Sequence, residues 1–398
     1  MDRRRFLKSV ALGGAGAAIL GRTGGLFAQS GGQPVQAKEG EIRISDVKTH
    51  NTGRLIVEVT TDANITGWGE VNVVPAELSE PVVKAYRKLL TGVNPTRIEH
   101  IWQMLYRAHR NVRGGAIHVA ALAGVDIALW DILGKMAKVP VYTLLGGPCR
   151  QKIRHYPSPK AWKQTGHTLM DMIETPAQID RWAADILKAR EKVGKDGYLM
   201  ADGHGKFTAQ AAIQLCRKIE KADLMYFEEV VPPENNEDLI RVKRATTVPL
   251  AAGERMSTIW PFRPLFENKC VDVLNPDVVS IGGISQLKKL ASIAEMYDIP
   301  IAPHGTHSAI GTAASLHVDA SVNNFLIQEC YEHIANSAAY LSKLTWSKGA
   351  FLPLPDGPGL GVTVNRDALQ QAVAKRSEKG SKGIGKAYFL NDGSVADR

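Results

Sequence analysis

Cysteine is scarce in this 398-residue sequence: Cys149, Cys216, Cys270 and Cys330 are widely separated, and no Cys-x-x-Cys pair occurs. That spacing excludes a disulfide scaffold, a zinc knuckle and dithiol chemistry, and the four thiols read as small buried hydrophobes. No Gly-x-Gly-x-x-Gly turn follows a first strand, which argues against the main structural alternative, a doubly wound open sheet that binds dinucleotides. Beyond the N-terminus no segment competes as a membrane helix. A surplus of positive charge is present, +9 in all, but residues 1–28 carry five bases (Arg3, Arg4, Arg5, Lys8, Arg22) against one acid (Asp2), and removing that +4 leaves +5. Lys375, Arg376, Lys379, Lys382 and Lys386 fall in a Gly/Ser-interrupted stretch that reads as a solvated tail, not as a nucleic-acid groove. The remainder is ordinary, with 44% hydrophobic and 22% charged residues, so a large core can form without disulfides or a structural metal.

The first 28 residues carry a pattern of their own. Arg3-Arg4-Arg5 and Phe6-Leu7-Lys8 precede a weakly apolar stretch from Val10 to Leu20, then Leu26-Phe27-Ala28-Gln29, where a small residue precedes a cleavage point. This order resembles a twin-arginine export signal and predicts a periplasmic protein, with a disordered basic tail as the alternative. The apolar stretch is too short to span a bilayer, which takes about 20 residues.

Residues 41–150 read as a small α+β domain: strands over Ile42–His50 and Leu55–Thr60, a third through Gly67-Trp68-Gly69-Glu70, then helices beginning near Ser79, Pro95 and Ile117. From residue 151 to about 350 the texture changes to short apolar runs separated by helical stretches, the signature of a parallel sheet built from βα units. The runs Tyr198–Ala201, Leu224–Phe227, Val248–Ala252, Val271–Leu274, Ile299–Ala302 and Phe325–Gln328 end at or near Asp202, Glu228, Glu254, Asp277, His304 and Glu329, and the steps between those residues are 26, 26, 23, 27 and 25. A unit of about 25 to 30 residues is what a (β/α) barrel needs, and the C-terminal strand ends of a barrel form its active site.

Asp202, Glu228 and Glu254 therefore belong to three consecutive strands about 5 Å apart, and three carboxylates in one cleft call for a hard divalent cation such as Mg²⁺. A single acid at such a junction is more often a helix cap. Three in phase are not. Asp277 ends the strand before His304, so its carboxylate can hold the far nitrogen of that imidazole and make it a general base. His204, two residues past Asp202, brings a second imidazole to the same mouth. Glu229 should point away from Glu228 by strand alternation.

These segments, Arg113-Gly114-Gly115, the helix Ala121 to Lys135, Leu144-Leu145-Gly146-Gly147, Asp202-Gly203-His204-Gly205, Phe227-Glu228-Glu229, Ala252-Gly253-Glu254-Arg255, Asn275-Pro276-Asp277 and Pro303-His304-Gly305, resemble the mandelate-racemase branch of the enolase superfamily, closest in motif to galactonate and related sugar-acid dehydratases. The resemblance covers nearly the whole mature chain. It implies a (β/α)7β TIM-like barrel over 151–350, an α+β capping domain over 41–150, and a C-terminal segment, 351–398, returning to the capping domain. It further implies that Asp202, Glu228 and Glu254 bind Mg²⁺, that His304 with Asp277 removes a proton next to a carboxylate, that His204 protonates the departing β-hydroxyl, and that Glu329 contacts the substrate. The partner is then a small-molecule carboxylate, with no nucleic acid and, after signal cleavage, no membrane. The resemblance also allows a homo-oligomer.

One departure stands out. Tyr156–Lys160 and His167–Ile173 read as strands one and two with little or no helix between them, Lys160 reads as a loop lysine, and no Lys-x-Lys base motif appears. Racemisation or epimerisation of a hydroxy acid is the enzyme alternative to dehydration, since His204 and His304 could address two faces of one carbon. A non-catalytic exported sugar-acid binding protein is the alternative from another class, and the metal triad argues against it.

Overall fold

The protein is described from a computed structural model covering residues 36–108, 110–165, 175–378, 388–389 and 395–396. The expected signal and the expected strand His167–Ile173 lie outside the described residues. So do Lys379, Lys382 and Lys386.

Strands β1 (Ile44–Asn51), β2 (Leu55–Thr61) and β3 (Thr66–Val71) form an antiparallel meander. Helices α1 (Ala76–Leu90), α2 (Ile98–Arg107) and α3 (Ala116–Ala137) follow. Helix α3 is long and apolar enough to cross a membrane by composition, contrary to the expectation that no such segment exists, yet most of it is buried inside the protein. An apolar girdle all round marks a core helix as readily as a membrane one. Its contact with β3 explains two glycines: a Cβ on Gly67 would come within 2.0 Å of the Ala128 carbonyl oxygen, and one on Gly69 within 1.8 Å of that of Gly124. Backbone meets backbone there.

Strand β4 (Lys152–Tyr156) opens the barrel, and β5 (Ala161–Thr165) follows after four residues. Strands one and two thus lie earlier than the sequence reading put them, and no helix separates them. Helix α4 (Pro176–Val193), begun by a Thr175 capping box, leads to β6 (Tyr198–Asp202); α5 (Ala209–Ile219), β7 (Tyr226–Glu228), α6 (Asn236–Ala245), β8 (Leu250–Ala252) and β9 (Val273–Leu274) continue the sheet, parallel and in order from β5 to β9. The expected run Ile299–Ala302 forms only isolated bridges, Leu274 with Ile301 and Ile301 with Phe325, and beyond it Asp277 bridges His304. Pro300 and Pro303 supply no N–H, so a continuous ladder cannot form. Helices α7 (Ile284–Met296) and α8 (Ala309–Ser321) precede β10 (Gln328–Glu329), which pairs in parallel with β4.

The C-terminal segment divides its contacts. Strand β11 (Phe351–Pro353) pairs antiparallel with barrel strand β4. Helix α9 (Arg366–Glu378) instead serves the capping domain, with Arg366 paired to Glu58 and Arg376 to Glu77. Lys375 and Arg376 are therefore helical, not part of a loose tail.

Buried acids of the capping domain dock it on the barrel. Asp126 accepts from Ser285 N and Oγ at 3.0 and 2.5 Å at the start of α7, and Glu70 accepts from Ser308 N and Gly311 N, both at 3.0 Å, at the start of α8. Each supplies an acceptor to helix N–H groups that have no partner inside their own helix. Gly283, at φ 98°, leaves room for Asp126, whose Oδ2 lies 2.3 Å from where a Cβ would sit. Stranding a buried donor of this kind costs about 1–3 kcal/mol, so the acids fix how the two domains meet.

Candidate active site

The sheet register brings the expected acids to one end of the barrel. Asp202 pairs with Glu228, and Thr165 at the end of β5 pairs with Asp202. Asp202, Glu228 and Glu329 surround a residue the sequence reading passed over. Lys163 Nζ lies 3.3 Å from Asp202 Oδ2, 3.1 Å from Glu228 Oε2 and 2.8 Å from Glu329 Oε1, with its side chain 5% exposed. Burial alone would lower its pKa, but Glu228 and Glu329 outweigh that and raise it well above the usual value, so Lys163 is a fixed cation. The ammonium has three N–H groups and each faces a carboxylate.

Glu228 is fully buried, and burial first, then the charges of Asp202 and Glu254, hold its pKa well above the carboxylate range despite Lys163. Asp202 goes the other way, downward, because Lys163 and His204 outweigh burial. Glu254 reaches this group from β8 by way of His304, whose Nε2 is 3.6 Å from Glu254 Oε2 and 3.8 Å from Glu329 Oε2. Asp202, Glu228 and Glu254 do not gather as tightly as Asp277, His304 and His307, whose nitrogens and carboxylate oxygen lie within 4.8 Å of one another.

His304 is held from behind. Its Nδ1 is 2.7 Å from Asp277 Oδ2, so Nδ1 carries the hydrogen and Nε2 faces the acids. Burial would depress this imidazole, but the bond to Asp277 and the charges of Glu254 and Glu329 raise its pKa, and a cation held by those acids would offset their charge and free Nε2 to accept a proton. Asp277, wholly buried, is pulled down by His307 and His304 against its burial. His204 sits at φ 47°, a left-handed position that turns its ring back over Asp202, with Nε2 3.0 Å from Asp202 Oδ2. That bond, larger than the opposing burial, raises its pKa. Glu229, at φ 43°, departs from the acids and takes a two-pronged bond from Arg255, 2.9 Å from Nε and 2.7 Å from Nη2. Lys160 lies exposed before β5, where its carbonyl accepts from Tyr198 N at the opposite end of the strands.

A cavity of about 320 Å³ opens beside His304 and Glu254, walled by Arg255 and Ser257 of the barrel and by Val73 and Ala116 of the capping domain. It is of the size that encloses a small metabolite. The carboxylates also fit a cation. Glu228 Oε1 is buried without a hydrogen-bond partner, and three carboxylates (Asp202, Glu228, Glu329) face the single ammonium of Lys163, with Glu254 joining them at His304. Hard oxygen donors with charge to spare suit Mg²⁺.

Lys163 was hidden by two features of the sequence. Its strand is short, Ala161-Trp162-Lys163-Gln164-Thr165, and it lies 39 residues before Asp202, outside the regular step of the later units. The readable signal was alternation, with Ala161 and Lys163 inward and Trp162 outward.

Comparison with known proteins shows the family of the chain. Residues 34–146 match the mandelate racemase / muconate lactonizing enzyme N-terminal domain, and residues 159–368 match the family described as enolase C-terminal domain-like. A D-galactonate dehydratase of Ralstonia pickettii is 35% identical over 371 residues, covering 86% of this chain and 96% of that protein. A D-galactonate dehydratase of Pectobacterium atrosepticum is 34% identical over 372 residues, with the same coverage of 86% and 96%. Among solved structures, an enolase superfamily member from Salmonella Typhimurium superposes with a TM-score of 0.77 at 27% identity, over 83% of this chain and 98% of that one. With both domains matched and these relatives covered nearly end to end, the chain belongs to the mandelate racemase / muconate lactonizing enzyme family and is an enzyme of the enolase superfamily.

Proposed function

We propose that this enzyme is a Mg²⁺-dependent acid-sugar dehydratase, removing the proton α to a carboxylate and eliminating the β-hydroxyl to give a 2-keto-3-deoxy acid. The observation that carries the reading is the pair of imidazoles around one group of acids, His304 backed by Asp277 and His204 seated on Asp202. The identity to D-galactonate dehydratases supports the substrate class, a small sugar acid.

Asp202, Glu228 and Glu254 would hold the ion, which when bound supplies a positive charge against the negative charge that grows on the substrate carboxylate. His304 Nε2 takes the α-proton while Nδ1 keeps its bond to Asp277. His204 gives a proton to the β-oxygen, which leaves as water, and the enol product tautomerises to the 2-keto acid. Glu329 borders the same space, 3.8 Å from His304 Nε2, where it is placed to contact the substrate. A lysine-based racemase is disfavoured: Lys163 has each of its N–H groups on a carboxylate, and Lys160 sits at the wrong end of β5. The test is a screen of acid sugars for 2-keto acid formation with and without Mg²⁺. Formation of an epimer with no 2-keto acid from any of them would replace dehydration by the epimerase alternative.

We also infer twin-arginine export, from Arg4-Arg5 ahead of a weakly apolar stretch. Replacing both arginines by lysine should trap the protein in the cytoplasm; unchanged periplasmic recovery would remove this reading.

A further inference from the structure

Asp277 holds more than His304. Its Oδ1 accepts from the backbone N–H groups of Val279 and Ser280 at 2.7 and 2.9 Å. Its Oδ2 faces two imidazoles, His304 Nδ1 at 2.7 Å and His307 Nε2 at 3.0 Å. The side chain of His307 is fully buried, and its second nitrogen, Nδ1, lies 3.0 Å from Asn72 Oδ1. The orientation of Asn72 follows from its own donor: Nδ2 gives a hydrogen bond to the Thr306 carbonyl at 3.1 Å, so Oδ1 is the acceptor and His307 Nδ1 carries a hydrogen. Asn72 follows directly on β3 of the capping domain and precedes Val73 and Val74, which line the cavity beside His304. Arg54, also of the capping domain, donates to the same Thr306 carbonyl at 3.1 Å.

We propose that Asn72 and His307 are positioning residues for the reaction, a buried line, hydrogen-bonded from Asn72 to His307 and in close polar contact from His307 Nε2 to Asp277 Oδ2, through which docking of the capping domain fixes Asp277 and thereby aims His304. The inference rests on His304 being the base. A carboxylate that held one imidazole alone could turn about its Cβ–Cγ bond. Here Oδ1 is tied to two backbone groups and Oδ2 is wedged between two rings, so one orientation remains. Seating of the capping domain, whose Val73 and Val74 meet the substrate side of the cavity, then becomes a condition for aiming the base.

Two readouts on the full-length mature protein test this. In proton NMR the Nδ1–H of His304, bonded to Asp277, gives a far-downfield line, assigned by its loss in His304→Gln. That line should be present in the wild type, shifted or broadened in Asn72→Ala and in His307→Gln, and restored in Asn72→Asp, which keeps the acceptor oxygen. The spectrum needs no substrate, so its outcome is separate from the success or failure of the dehydratase reading. With a substrate, kcat for α-proton exchange should fall in Asn72→Ala by on the order of 10- to 100-fold, the scale of a small misplacement of a reacting group, with KM little changed. An unmoved line in both Asn72→Ala and His307→Gln would overturn the proposal. So would a raised KM at unchanged kcat, which would make Asn72 a substrate contact.

Discussion

His304→Asn should abolish exchange of the substrate α-proton with solvent, whereas His204→Asn should leave that exchange running and stop elimination. The split follows from the different partners of the two rings. His304 has Asp277 on Nδ1 at 2.7 Å and presents Nε2 to the cavity, so it can take a proton and be stabilised as the imidazolium. Its asparagine replacement keeps a polar tip but has no basic nitrogen. His204 has no carboxylate behind it and rests its Nε2 on Asp202, half exposed, where bonding to that acid favours the protonated ring. It is built to deliver a proton. General acid or base assistance is typically worth about 10²- to 10⁴-fold, so each loss should be plain in steady-state rates. Deuterium wash-in from D₂O into unreacted substrate measures the first step alone. Exchange at the wild-type rate in His304→Asn would refute the assignment.

Mg²⁺ should raise the melting temperature of the wild type, and Asp202→Asn or Glu228→Gln should remove most of that rise. Binding to the folded state alone stabilises it by about 2.7 kcal/mol at a hundredfold excess over Kd, which for a chain of this size amounts to a shift of several degrees. The effect should be large here because the acids are already crowded: Glu228 is buried, has one oxygen without a hydrogen-bond partner, and is pushed toward its neutral form by burial and by Asp202 and Glu254. A cation removes that penalty. Differential scanning fluorimetry with MgCl₂ and with EDTA reads the shift, with Glu229→Gln as the contrasting variant, since Glu229 is engaged by Arg255 and not by the acid cluster. Equal Mg²⁺ shifts in wild type, Asp202→Asn and Glu228→Gln would place the ion elsewhere.

The parts of this protein that repeat were legible in its sequence. Acids and imidazoles recurring every 23 to 27 residues at the ends of apolar runs mark a barrel, because a strand and its return helix have a fixed length and the strand ends share one rim. The pairing of Asp277 with His304 could be read for the same reason, as neighbouring strand ends in a parallel sheet. Where the unit is broken the sequence misleads. Strands β4 and β5 are joined by four residues with no helix, so nothing marked Lys163 as inward, and only closure of the sheet brings it among Asp202, Glu228 and Glu329.

Contacts between the domains were decided by tertiary structure alone. Glu70, Asp126 and Asn72 lie in segments whose sequence reads as plain strand and helix, and their partners Ser308, Ser285 and His307 are 238, 159 and 235 residues away. No local periodicity encodes such a bond. Strand and helix patterns report which residues are inside, since burial follows the 2.0 and 3.6 periods of one element. Which buried polar group meets which is fixed only when two finished surfaces dock and every buried donor must find its acceptor.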